Sequence, residues 1–277
     1  MTRPLVSFLT DFGLRDPSAG ICRAVILSIA TDAEIVDISH EVRKFAVRDA
    51  ALLLWCAVPY FPPAVHLAVV DPGVGTERRP VAVRVGRGDH LVGPDNGLLI
   101  MATERLGGIV AAVELREPAY RLPVVSSSFH GRDVFAPAAA HLALGVPLDR
   151  FGPAVDPETL VRLPIPEPIV GPGSLRTQVL YLDTFGNLKF SALAGQLRQA
   201  LGELRPGDPL ELRPAVGGGQ PASTARLTWQ ATFGGALTGD GLLYEDSYGR
   251  LCLAVNQGDA AAVFGLGLDR TVEIRRG

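Results

Sequence analysis

The chain has little cysteine, little lysine and no long apolar run, and each scarcity narrows what it does. Its three cysteines, Cys22, Cys56 and Cys252, are odd in number, widely spaced and set among apolar neighbours. That pattern supports neither a disulfide framework nor a zinc site, and it reads as buried thiols in a reducing cytoplasm. Lys44 and Lys189 are the only lysines among 26 basic residues, a trait of composition that carries no mechanism. Against 29 acidic residues the formal charge is -3, and no block of like charge forms a tail, so a nucleic-acid partner is not expected. The longest apolar stretches, such as Ala50 to Pro59, reach about half the ~20 residues of a bilayer-spanning helix. The apolar run before Asp11 is also too short for the core of an export signal. A cytoplasmic chain with no membrane partner is expected.

Familiar catalytic signatures are missing as well. There is no CxxC pair, no HExxH and no calcium-loop spacing of carboxylates, so no metal site is expected. There is no GxSxG elbow, and no cysteine has a histidine nearby in sequence, which removes support for covalent catalysis. Gly217 to Gly219 read as a flexible turn, lacking the residues of a phosphate loop. Positioning and electrostatics remain as the means of any chemistry.

What is present is an ordinary globular composition, 47% hydrophobic and 20% charged. The first half alternates strand-like and helix-like runs. Strands are predicted at Leu5 to Thr10, Glu34 to Ile38, Val65 to Val70, Val81 to Val85, His90 to Val92 and Ile109 to Glu114. Helices are predicted at Asp16 to Ala30, Val47 to Tyr60, Gly97 to Leu106 and Asp133 to Leu144. This order implies an α/β domain over residues 1–163, its mainly parallel sheet flanked by helices. Residues 164–174 concentrate proline and glycine and read as a linker. Residues 175–277 carry short alternating runs between Gly-rich turns, with one helix at Ala194 to Leu204, and imply a smaller β-barrel or sandwich domain.

Polar clusters stand at the ends of the predicted strands, where α/β sheets build ligand crevices. In TDFGLRDPSAG, Asp11 has the two oxygens needed to accept from a ribose diol, whereas Asp16 and Ser18 suit helix capping equally well. In VVDPGVGTERR, Asp71 ends an apolar strand and Arg78 can fold back upon it, to do chemistry or simply to brace the loop. In SSSFHGRD, His130 precedes a helix whose positive end favours the neutral imidazole. His66, His90 and His141 lack polar companions and read as structural. DTFGN, from Asp183, and DSYGRLCLAVNQG, from Asp246, read as hairpin turns.

Taken in order, TDFGLRD, DISHEV, VDPGVGTERR, GPDNGLL, SSFHGRDVFAPAAAHLA, DTFGNL and DSYGRLCLAVNQG resemble the S-adenosylmethionine hydroxide adenosyltransferase family over nearly the whole chain. Those enzymes are hydrolases related to fluorinating and chlorinating adenosyltransferases. The resemblance implies hydrolysis of S-adenosyl-L-methionine to adenosine and L-methionine without metal or cofactor. It places the water-handling set on Asp71, Arg78 and His130, with Arg79 as the neighbouring alternative to Arg78. It further implies that Asp11 holds the ribose hydroxyls, that Asp16 and Asp183 accept from the methionine ammonium, and that Ser18 and Ser247 serve its polar end. Asn187 would address adenine, and Phe45, Phe129 and Phe233 would line apolar walls. A homotrimer with sites between subunits is also implied. A halide-using adenosyltransferase is the nearest rival, disfavoured because the chain passes directly through GRGDH after Val81 to Val85, where those relatives carry an insertion. A non-catalytic S-adenosylmethionine sensor is the other.

Overall fold

The apolar run Leu5–Thr10 forms β1, and in the computed structural model it lies inside a six-stranded sheet. Residues 3–214 and 224–277 are described, so the expected Gly217–Gly219 turn lies outside the described residues. Two compact units result, Met1–Leu163 and Pro164–Gly277.

The first sheet adds β2 (Glu34–Ser39), β3 (Val65–Val69), β4 (Pro80–Val85), β5 (His90–Pro94) and β6 (Ile109–Glu114), in the order β2-β1-β3-β5-β4-β6. Strands β2, β1, β3 and β5 run parallel, while β4 is antiparallel to both its neighbours. The reversal follows from the tight turn at Gly86–Asp89, which leaves no length for a crossover helix between β4 and β5.

Four helices cover this sheet: α1 (Ser18–Ile29), α2 (Val47–Ala57), α3 (Ile100–Arg105) and α4 (Ala136–Ala143). Because strand side chains alternate, Val65, Leu67 and Val69 of β3 join the core beneath α1 and α4, whereas Ala68 joins the opposite core with α2 and α3. Helix α1 presents Ala19, Cys22 and Ile26 to its core at helical spacing. On the other face His66, fully buried, is satisfied by Ser7 Oγ at 2.7 Å and Asp89 Oδ1 at 3.1 Å. Cys22 and Cys252 are buried free thiols as expected, but Cys56 is only half-buried.

The chain leaves β1 toward β2 and returns across it to β3. Strands β1 and β3 are therefore neighbours whose outgoing connections diverge, and a crevice opens beyond their C-terminal ends. Thr10 and Val69 pair at that edge, which puts Asp11 and Asp71 on adjacent loops.

In the second unit, β7 (Ile169–Gly171) lies within the stretch expected as linker and pairs with the start of β8 (Ser174–Leu182). Strand β9 (Leu188–Leu193), helix α5 (Ala194–Leu201), β10 (Pro209–Pro214), β11 (Ala225–Trp229), β12 (Gly241–Glu245), β13 (Arg250–Val255), helix α6 (Ala260–Phe264) and β14 (Thr271–Arg276) follow. The pairings run β14-β10-β11-β12-β13-β9-β8, and β8 pairs back to β14, closing a seven-stranded barrel. Closure leaves those seven strands without a free edge, and alternate residues such as Leu210 and Leu212 fill the interior. Among the described residues, no helix is long and apolar enough to cross a membrane.

Candidate active site

The loop after β3 turns immediately at Asp71-Pro72-Gly73, where Val74 N donates to Asp71 O at 3.2 Å and Thr76 N to Gly73 O at 3.2 Å. This compact turn brings Arg78 back over Asp71. Arg78 Nε donates to Asp71 Oδ1 at 3.1 Å and Nη2 donates to Oδ2, a forked pair in which both side chains are more than nine-tenths buried. The guanidinium carbon stands 5.2 Å from the centre of the buried Phe135 ring. Nη2 also reaches His130 Nδ1 at 3.2 Å, while Nη1 is buried with no hydrogen-bond partner among the described residues.

His130 is set by the segment that follows it. Residues Gly131–Phe135 form a π-helical turn leading into α4, a wide turn of the kind that recurs at functional sites. Buried Asp133 on this turn accepts from Ser126 N at 2.8 Å, and Ser126 Oγ accepts from Phe129 N at 3.0 Å, which fixes the loop ahead of His130. Burial and then the Arg78 guanidinium hold the imidazole below its ordinary pKa, against the opposing pull of Asp71. A neutral ring that accepts from Arg78 at Nδ1 carries its proton on Nε2. His130 therefore offers a donor on its far side.

Asp11, on the loop after β1, accepts from Phe45 N at 2.8 Å. Phe45 makes that bond from a left-handed backbone, φ 64°, unusual for an aromatic residue, and its side chain is 70% exposed. Asp11, Phe45, Asp71, Phe129 and His130 line one cavity of about 300 Å³, with Phe12, Lys44, Val74 and Ser128. Sequence reasoning missed these last four, although Phe12 and Ser128 fall within motifs it singled out. Arg79 does not compete for Asp71: its Nε and Nη2 donate to Asp95 Oδ2 at 2.9 and 2.6 Å, and Nη2 also to Thr159 O at 2.7 Å.

The second unit has its own cavity of about 590 Å³, lined by Asp183, Asn187 and Phe233 of the expected set, and by Phe185, Tyr244, Val255, Gln257 and Gly258. Asp183 is the hub of the β8-β9 turn. Its Oδ1 accepts from Phe185 N at 2.9 Å and Asn187 N at 3.0 Å, and its Oδ2 from Asn187 Nδ2 at 2.9 Å. Asp246 organises the β12-β13 turn in the same manner, accepting from Tyr248 N and Arg250 N at 2.9 Å each. The hairpin-turn reading of both motifs thus describes their backbone, while the Asn187 amide and the Phe233 ring border a cavity.

Asp16, Ser18 and Ser247 line neither cavity. The capping role open to Asp16 and Ser18 is not used: Pro17 holds the cap position of α1 and makes no side-chain cap. No group of three or more metal-ligating side chains occurs among the described residues.

The family profile for the N-terminal domain of SAM hydroxide adenosyltransferases matches residues 6–152, and that for the C-terminal domain matches residues 177–273. The chain belongs to the SAM hydroxide adenosyltransferase family. It is 45% identical to a Salinispora tropica protein named (R)-S-adenosyl-L-methionine hydrolase, over 95% of this chain and 94% of the relative. A Thermus thermophilus protein of the same name is 42% identical over 94% and 95% of the two chains. The crystal structure of an uncharacterised conserved protein from Thermotoga maritima superposes with a TM-score of 0.89 at 35% identity, covering 98% of this chain and all of that one.

Proposed function

We propose that this member of the SAM hydroxide adenosyltransferase family hydrolyses S-adenosyl-L-methionine to adenosine and L-methionine, with Asp71, Arg78 and His130 handling the attacking water. The observation that carries this reading is the Asp71–Arg78–His130 cluster at the strand-end crevice: its ion pair is buried, and Asp71 and the half-buried His130 line the same cavity as Asp11. The near-complete alignment with relatives named as hydrolases of the (R) epimer supports the same substrate here.

Water oxygen bonds to the ribose C5′ as the C5′–S bond breaks, and that electron pair goes to sulfur. The sulfonium becomes a neutral thioether, so the leaving group needs no proton. The remaining water proton passes to solvent. Arg78 places positive charge behind Asp71 and His130, beside the point where hydroxide character develops. Asp71 holds the guanidinium in plane through the fork. His130, neutral with Nε2–H, donates to the water oxygen and fixes its lone pair toward carbon. Aligning nucleophile and carbon at ~3.5 Å supplies the proximity contribution.

Asp11 is assigned to the ribose hydroxyls, with Phe45 and Phe129 as walls. Asn187 and Phe233 are assigned to adenine, Asp16 and Asp183 to the ammonium, and Ser18 and Ser247 to the rest of the methionine end. The Asp183 turn bonds leave only part of its acceptor capacity for a ligand. A homotrimer, a cytoplasmic location and independence from cofactor, nucleic acid and membrane complete the reading; they rest on the family resemblance and the composition.

Incubation with each sulfonium epimer in 18O-labelled water tests the reaction. Adenosine labelled at its 5′ oxygen, formed from the (R) epimer without added halide or metal, is the expected result. Halogenated adenosine formed only with halide, or bound and unchanged substrate, would sink it.

A further inference from the structure

The loops after β1 and β2 are joined by more bonds than either turn needs. Gly13 N donates to His40 O at 2.7 Å, Leu14 N to Glu41 Oε1 at 2.9 Å, Val42 N to Thr10 O at 3.4 Å and Phe45 N to Asp11 Oδ2 at 2.8 Å. At their centre the buried His40 ring sits edge-on to Phe8, 4.7 Å between centroids, and its Nδ1 is 2.9 Å from Thr10 Oγ1.

Thr10 Oγ1 also accepts from Phe12 N at 3.2 Å, so its own proton is free to point at His40 Nδ1. That arrangement puts the imidazole proton on Nε2, which lies 3.2 Å from Asp37 Oδ1, an electrostatic contact off the line of a good hydrogen bond. Asp37 is in turn paired with Arg23 of α1. The chain of contacts thus runs from α1 through Asp37, His40 and Thr10 to the backbone that flanks Asp11.

We propose that His40 is a positioning residue for the substrate site: by orienting the Thr10 hydroxyl it sets the Asp11 carboxylate and, through the Asp11–Phe45 bond, the aromatic wall beside it. The inference rests on the assignment of Asp11 to the ribose. His40 itself lines neither cavity, so it acts through Thr10 and not on the ligand.

The test compares adenosine affinity by calorimetry, and KM and kcat for S-adenosyl-L-methionine, in wild type, His40→Gln, His40→Asn, Thr10→Val and the Gln/Val double variant. Gln reaches toward Asp37 but not Thr10, whereas the Asn amide stands where Nδ1 does. Expected are a loss of about tenfold in adenosine affinity for His40→Gln, a matching rise in KM with a smaller change in kcat, and rescue by His40→Asn. The double variant should be no worse than the worse single one, since both break one contact. Unchanged affinity in His40→Gln, equal impairment in His40→Asn, or additive losses would each overturn the proposal. If His40→Gln fails to fold, Thr10→Val gives the same readout with His40 intact. A wild type that binds adenosine but never hydrolyses the substrate refutes the hydrolase reading alone, because affinity still decides the role of His40.

Discussion

Arg78 Nη2 donates to His130 Nδ1 at 3.2 Å while the same nitrogen and Nε fork onto Asp71, so one planar cation sets both the carboxylate and the ring. A lysine has the charge but neither the plane nor the fork. On the proposed role of Arg78, Arg78→Lys is expected to lower kcat by roughly 10²–10³, the cost of releasing Asp71 and His130 from the geometry that the fork imposes. Single-turnover kinetics check this against KM, which should move little because Asp11 and the aromatic walls are untouched.

His130 should govern the acid limb of the rate profile. Its pKa is lowered by burial and by Arg78, so the neutral ring persists below the usual histidine value of about 6.5. Protonation at Nδ1 removes the acceptor that Arg78 uses and sets two cations against each other. The rate is therefore expected to hold as pH falls through 6.5 and to drop only below it. Histidine NMR titration of Arg78→Ala should show the His130 midpoint rise toward the ordinary value; an unchanged midpoint would mean that burial alone sets it.

Asp11 and Asp71 of the candidate site are legible in the sequence because each follows directly on an apolar strand. The boundaries of β1 and β6 follow from local pattern, and Asp71 at the close of a fully buried run is a local signal too. The choice between Arg78 and Arg79 is not local. Consecutive side chains in extended backbone point to opposite sides, and which side faces Asp71 depends on Asp95 and Thr159, the latter 80 residues further on. Strands β10 and β14 carry little local signal for related reasons. Prolines bound the first, charges fill the end of the second, and both exist because the barrel closes through distant pairings. Helix α6 is five residues long, too short for periodicity to show.

The buried Ser7–His66–Asp89 chain predicts an acid-labile contribution to stability. Burial pushes the Asp89 carboxyl up, but hydrogen bonds from Arg87, His66 and Ala64 N outweigh it and hold the group below the ordinary carboxylate range. A folded pKa below the unfolded one stabilises at pH above the unfolded value of about 3.9, and that share is lost as pH falls through the folded value. Denaturation should show no change from this group between pH 7 and 5 and a decline below about pH 4. Asp89→Ala strips the acceptor from buried His66 Nε2 and from Ala64 N and leaves Arg87 only the Val58 carbonyl, and it is expected to cost about 3 kcal/mol at neutral pH.

The loops that carry Asp71 and His130 approach one another at Gly75, and on the proposed roles of those residues this contact gives the sharpest separation of activity from stability. Gly75 has φ 77°, a conformation that penalises any Cβ, and a Cβ built there would collide with the carbonyl oxygen of Ser127. Ser127 lies on the loop that carries His130, and Gly75 lies between Asp71 and Arg78, so the collision falls between the two halves of the water-handling set. In Gly75→Ala one loop must retreat, and the 3.2 Å contact between Arg78 and His130 is the one that lengthens. Gly75 and Ser127 are themselves exposed and outside the core clusters, so the loss of stability should stay near 1 kcal/mol while kcat falls by about 10²-fold, as misplacement of catalytic groups by an ångström does. Thermal melts alongside kcat for Gly75→Ala and for Gly88→Ala decide the matter. Gly88 also has positive φ, 102°, but faces open space in the β4-β5 turn, so its variant should melt lower and turn over normally. Equal rates in the two variants would show that the Gly75–Ser127 approach does not hold the water-handling set in place.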